Sequence, residues 1–89
     1  MKTIRSLKQF KKDIKRIQKS GQNMTKLKEV IDKLDNEQTL EPKYCDHALT
    51  GNYQGYRDCH IEPDWLLIYQ SSEAELVLVR TGSHSDLFN

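Results

Sequence analysis

The apolar residues of this 89-residue chain change their rhythm once, and that change limits the folds open to it. Up to Leu34 they recur every three or four positions; from Tyr56 onward they alternate or stand in short unbroken runs. The first rhythm belongs to amphipathic helices and the second to strands. Leu7, Phe10, Ile14 and Ile17 make one helical stripe, with Lys8, Lys11, Lys12, Lys15, Arg16 and Lys19 covering the outer face. Ser6 is the expected N-cap of this helix and Gly21 its stop. Met24, Leu27, Val30, Ile31 and Leu34 make a second helix that ends near Asp35–Asn36, antiparallel to the first across a short loop.

A short strand is expected at Lys2–Arg5, ahead of the helices. Residues 37–52 read as a loop, marked by Pro42 and Gly51. Strands follow at Tyr56–Ile61, Trp65–Gln70 and Leu76–Thr81. Cys59 and Ile61 share one face of the first of these, Asp58 and His60 the other. Glu62-Pro63-Asp64 is a tight turn, Ser71–Glu75 a second, and Ser83–Phe88 a tail with room for one helical turn. The order β-α-α-β-β-β predicts a single α+β domain over 1–89, its two helices packed on one face of a small antiparallel sheet. The opposite face is expected to stay partly open.

Composition narrows the function. A chain of this length holds one modest core, and its mean hydropathy is −0.79. The longest unbroken apolar run, Trp65–Tyr69, is five residues, far short of a membrane span. MKTIRSLKQFKK carries positive charge without the apolar stretch of a secretory signal. With only Cys45 and Cys59, a disulfide framework is excluded, and a reduced, cytoplasmic chain with buried thiols is the expectation. The net charge of +1 conceals an asymmetry. Residues 1–35 hold 11 Lys/Arg and 4 Asp/Glu, a balance of +7, and residues 36–89 hold 3 and 9, a balance of −6. The first third of the chain is built either to face a polyanion or simply to be solvated.

His47, His60 and His84 all lie in the acidic part. Cys45-Asp46-His47 and Cys59-His60 do not have the spacing of a zinc site, so no metal and no cofactor are expected. The turn at residues 62–64 brings His60 near Asp64 and Trp65, and Arg80 and His84 reach the same sheet edge. Two imidazoles supply a base and an acid near neutral pH. A guanidinium between them would hold a pentacoordinate phosphorane by charge-assisted hydrogen bonds. These parts suffice to cleave RNA through its own 2′-OH. Trp65 and Phe88 are candidates to stack a base, and Lys8, Lys11, Lys12 and Lys15 to grip phosphates.

The segments DHALTG (46–51), GYRDCHIEPDWLLIY (55–69) and RTGSHSDLF (80–88) together resemble the YafQ branch of the RelE/ParE toxin superfamily. The resemblance implies the toxin of a type II toxin–antitoxin pair, a ribosome-dependent endonuclease that cuts mRNA in the ribosomal A site. By the same resemblance His84 is the general acid, and the base is His60 assisted by Asp64, or alternatively His47. Arg80 is the transition-state clamp, Phe88 and Trp65 position the base, and Asp58 is a weaker candidate to orient His60. The implied partners are a cognate antitoxin, the ribosome with its mRNA and, through the antitoxin, operator DNA; the free chain is expected to be a monomer. Two competing readings share the fold: a ParE-like topoisomerase poison, and a nucleic-acid-binding module without catalysis.

Overall fold

The computed structural model describes residues 3–88. The elements are β1 (Thr3–Ser6), α1 (Lys8–Lys19), α2 (Met24–Asp35), β2 (His47–Ala48), β3 (Arg57–Glu62), β4 (Trp65–Ser71), β5 (Glu75–Gly82) and α3 (His84–Phe88), with single 3-10 turns at Pro42–Tyr44 and Gly51–Tyr53. The α+β expectation holds, and so does the helix-then-strand order. The expected start of the first strand at Lys2 lies outside the described residues.

The five strands run β1-β5-β4-β3-β2 across one sheet. β4 is therefore central, with both of its faces covered. Trp65, Leu67 and Tyr69 point to the helices, and Leu66 and Ile68 to the far side. That is why WLLIY is continuously apolar although its side chains alternate. Leu66 and Leu67 are almost wholly buried, each contributing about 1.5–3 kcal/mol. The two-residue hairpin Pro63-Asp64 sets the β3–β4 register, Glu62 opposite Trp65 and His60 opposite Leu66.

Three features depart from the sequence reading. β1 pairs with β5 in parallel, so the sheet is not purely antiparallel. Ser6 belongs to β1; Leu7 takes the N-cap position of α1 without a side-chain cap, while α2 is capped by the Asn23 side chain. His47–Ala48, inside the expected loop, forms an edge strand on β3. The far face, expected to stay partly open, is covered in part. Leu87 of α3 packs there with Leu66, Ile68, Val77 and Val79, joined by Leu7, Leu49, Tyr53 and Tyr56. Among the described residues no helix is long and apolar enough to cross a membrane.

Candidate active site

The β3–β4 turn and the start of α3 meet at one corner of the sheet. Ser83 and Asp86 open α3 reciprocally: the Asp86 amide donates to Ser83 Oγ and the Ser83 amide to Asp86 Oδ2, the pattern of a capping box. Asp64, from the turn, accepts from the His84 amide at 3.0 Å and from His84 Nδ1 at 2.6 Å, both at Oδ1. Those bonds hold the Asp64 carboxyl below the usual carboxylate value. An ionised carboxylate only accepts, so Nδ1 carries the proton and Nε2 faces outward. This corrects the expected pairing, because the hydrogen bonds of Asp64 go to His84 and not to His60.

His60, half-buried on β3, meets His84 edge-on with 5.4 Å between ring centroids. His84 is followed by Phe88 at 6.4 Å, and Phe88 by Tyr53, edge-on at 5.6 Å. Phe88 is exposed and available for stacking. Trp65 is not: it is 2% exposed, and its indole N–H donates to Thr81 Oγ1 at 2.9 Å. Its place on the helix-facing side of β4 makes it a core residue, which overturns its expected role in base stacking.

On the other side of His60, β2 brings in His47. Asp46 anchors this segment by accepting from Tyr69 Oη at 2.7 Å and Arg57 Nε at 3.3 Å. His47 Nδ1 lies 2.8 Å from the Cys45 carbonyl oxygen, again leaving Nε2 outward. The same Nδ1 is 3.1 Å from Asp58 Oδ1, outside hydrogen-bonding alignment. Asp58 thus sits closer to His47 than its expected role on His60 implied. Cys45 is exposed, contrary to expectation. Cys59 is buried as expected, and burial pushes its thiol well above the reactive range.

Asp58 is 2% exposed, and its Oδ1 has no hydrogen-bond partner among the described residues. Burial raises its carboxyl above the ordinary value, and the nearby His47 and His60 only partly offset that. A folded-state value above the unfolded one means that ionised Asp58 opposes folding at neutral pH, and that this penalty fades as pH falls through the folded value. Asp58→Asn is therefore expected to raise stability at pH 7 by about 1 kcal/mol. The gain should shrink in acid, as thermal melts at pH 7 and pH 4 will measure. An equal gain at both pH values would show that the charge is not its source.

Sequence reasoning missed the group behind Arg80. Asp13, the only acidic residue of α1, is fully buried. It accepts from Arg80 Nε and Nη2 at 3.1 Å each, Arg16 Nη1 at 2.9 Å and the Thr81 amide at 3.2 Å. Burial would push its carboxyl up, but the Arg80 and Thr81 hydrogen bonds outweigh it and hold the group below its usual value. Asp13, and to a smaller degree a hydrogen bond with Tyr53, in turn raise Arg80, which stays fully charged. Arg16 also donates from Nη2 to the Thr81 carbonyl and lies 3.5 Å from Asp86, tying α1 to α3. A side chain at Gly82 would come within 2.7 Å of Arg16 Nη2.

Lys8, Lys11, Lys12 and Lys15 are all exposed on α1. Lys12 stands three residues after Gln9 and four before Arg16, both of which reach Asp13. Helical spacing therefore puts Lys12 on the flank nearest Arg80. Among the described residues no cluster of three or more His, Cys, Asp or Glu has the arrangement of a metal site.

A sheet flanked by helices, with a histidine-rich rim at one corner, is the architecture of small bacterial toxins of the type II toxin–antitoxin class, and sequence comparison agrees. The family model described as "Bacterial toxin of type II toxin-antitoxin system, YafQ" matches residues 2–89, and the chain belongs to the YafQ family. It is 46% identical over 81 residues to the mRNA interferase toxin YafQ of Escherichia coli K12, covering 90% of this chain and 88% of that protein. The toxin in the crystal structure of the E. coli DinJ-YafQ toxin–antitoxin complex superposes with a TM-score of 0.91 at 43% identity, covering 99% of this chain and 98% of that one. A metal-bound toxin from Helicobacter pylori superposes with a TM-score of 0.92 at 48% identity, covering 99% of this chain and all of that one.

Proposed function

We propose that this YafQ-family toxin is an mRNA interferase that cuts mRNA in the ribosomal A site, with side chains as acid and base and the RNA 2′-OH as nucleophile. The observation that carries the reading is the rim itself, where His84 and His47 are each anchored through Nδ1 and turn Nε2 outward on either side of His60. The base, His60 or His47, takes the 2′-OH proton. The 2′-oxygen attacks phosphorus, the bond to the 5′-oxygen breaks, and His84, entering the step as the imidazolium, gives the leaving oxygen its Nε2 proton while Nδ1 keeps its own to Asp64. One product ends in a 2′,3′-cyclic phosphate and the other begins with a 5′-OH. Arg80, charged and braced by Asp13, faces the phosphorane oxygens with the part of its guanidinium that Asp13 does not take. Phe88 and Tyr53 receive the base on the His84 side, and the α1 lysines hold flanking phosphates without reading sequence.

The curated relative's name supports the reaction, and the DinJ-YafQ complex supports a protein antitoxin as partner. Operator DNA would be reached through that antitoxin, the free toxin being monomeric. The open rim gives RNA few contacts for alignment, so the ribosome is assigned the task of presenting the strand.

Primer extension on a defined mRNA, in a purified translation system with and without ribosomes, tests this. A cut confined to the A-site codon, seen only with ribosomes, is the expected result. Phenanthroline at constant Mg²⁺ should leave the rate unchanged, a comparison made pointed by the metal-bound H. pylori relative. Loss of cutting restored by zinc or copper would overturn the side-chain mechanism. Growth arrest without cleavage would favour the topoisomerase-poison reading.

A further inference from the structure

Beyond His60 the rim opens into a cleft of about 600 Å³ between α2 and the β3–β4 hairpin. This volume lies within the range of small-molecule sites, about 300–1,000 Å³, and is large enough for one nucleotide. Lys26 and Glu29 of α2, Tyr44 of the first 3-10 turn and Cys45 just after it, and His60 and Glu62 of β3 line it. Nothing in the mechanism above uses this space.

Both candidate bases adjoin it. His60 forms part of its wall, and His47 is anchored on the carbonyl of Cys45, which forms another part. The acid, His84, is not part of the cleft wall; it lies between His60, at 5.4 Å, and Phe88, at 6.4 Å, with Tyr53 beyond Phe88. In 2′-OH transfer the base serves the nucleotide 5′ of the broken bond and the acid the one 3′ of it, so the two sides of the rim take opposite sides of the cut. We infer that the cleft is the subsite for the nucleotide on the 5′ side, an inference that rests on the RNA-cleavage reading.

The lining suits such a ligand. Tyr44 offers an aromatic ring with two cations beside it, Lys33 Nζ at 5.1 Å and Lys43 Nζ at 5.2 Å from its centroid. Both also pair with Glu41, at 3.5 Å and 3.9 Å, and of the two Lys43 lines the cleft, where a phosphate preceding that nucleotide would compete with Glu41 for it. Glu62, 3.6 Å from Lys26 Nζ, and Glu29 present carboxylate acceptors. Carboxylates accept from amino groups of bases. Adenine, cytosine and guanine carry an exocyclic amino group and uracil does not, so the subsite discriminates against uracil.

Two readouts test the inference on ribosomes. Cys45 is exposed in the cleft wall while Cys59 is buried, so a maleimide labels the former selectively, followed on the toxin by mass spectrometry. The probe is an mRNA with a single 2′-deoxynucleotide at the cleavage position, which fills the A site but cannot be cut. Labelling of Cys45 should slow several-fold relative to ribosomes with an empty A site. With cleavable mRNAs varied at the 5′ base, amino-bearing bases should be preferred over uracil by about tenfold. The Glu29→Gln/Glu62→Gln double variant should erase most of that preference while still cutting. If the wild type cuts in the A site but Cys45 labels equally with and without mRNA, and base preference survives the double variant, the subsite is overturned and the cleavage reading stands. If the wild type does not cut at all, both fall.

Discussion

Replacing His84 by Ala should lower single-turnover cleavage on ribosomes by about 10²–10⁴-fold, the range for removing a positioned general acid. The loss should come without a loss of fold. His84 is exposed; its side chain meets His60 edge-on, Phe88 at a tilt and the exposed Asp64 carboxylate through Nδ1, and changes at such surface positions are small beside the total stability. The variant should also lose one limb of a bell-shaped pH–rate profile. Asp64 is the natural companion. The His84 hydrogen bonds depress its carboxyl, so it remains an ionised acceptor down to acid pH and keeps Nδ1 as the protonated nitrogen throughout the measurement. Asp64→Ala should therefore lower cleavage in the same direction as His84→Ala but by less, and the double variant should be no worse than His84→Ala alone. A His84→Ala protein that cuts at nearly the wild-type rate would remove His84 from the mechanism.

Asp13→Ala should destabilise the fold by about 3–5 kcal/mol, the cost of taking one partner from a buried ion pair. Against a typical total of about 5–15 kcal/mol, that leaves a protein with little margin, visible as a collapsed urea midpoint. Asp13→Asn separates stability from function: it keeps the shape and one acceptor but loses the charge that braces Arg80. It should fold, bind ribosomes and cut roughly tenfold more slowly, short of the 10²–10³-fold for deleting a transition-state donor outright. The pH dependence carries a sign. The folded value of Asp13 lies below its unfolded value, so its contribution is complete above the unfolded pKa, near 4, and is lost as pH falls through the folded value. Wild type should lose more stability than Asp13→Asn on acidification below about pH 4. Parallel acid titrations of the two would show that Asp13 is not the ionised brace described.

The helices and central strands were legible because each has a strong period of its own. Leu7, Phe10, Ile14 and Ile17 mark α1 without ambiguity, and the apolar run WLLIY stands out as a strand, although that it is covered on both faces was not expected. What the pattern hid was long-range pairing. Nothing in Thr3–Ser6 says that its partner is Glu75–Leu78 or that the two run parallel. His47–Ala48 is too short to show a period, and it becomes a strand only because β3 lends it an edge. In the site, the histidines and Arg80 stood out by type and position, but which carboxylate meets which imidazole depends on the register of the β3–β4 hairpin. Asp13 did leave a trace. Its spacing of three from Phe10 and four from Ile17 sets it on the apolar stripe of a helix otherwise rich in lysine, where a lone carboxylate needs a buried cation. Trp65 misled for the opposite reason, since an aromatic beside a histidine suggests stacking until the face it occupies is known.

The position of β5 fixes when the rim can form. This strand lies between β1 and β4, yet it is synthesised after both. Until residues 75–82 have emerged, the sheet exists as two unjoined parts, and Asp13 has neither Arg80 nor the Thr81 amide to bind. His84 follows two residues after that strand ends. A nascent chain therefore carries no assembled rim while most of its own length is being made, and Arg80 and His84 take their places only once the strand that closes the sheet has been delivered.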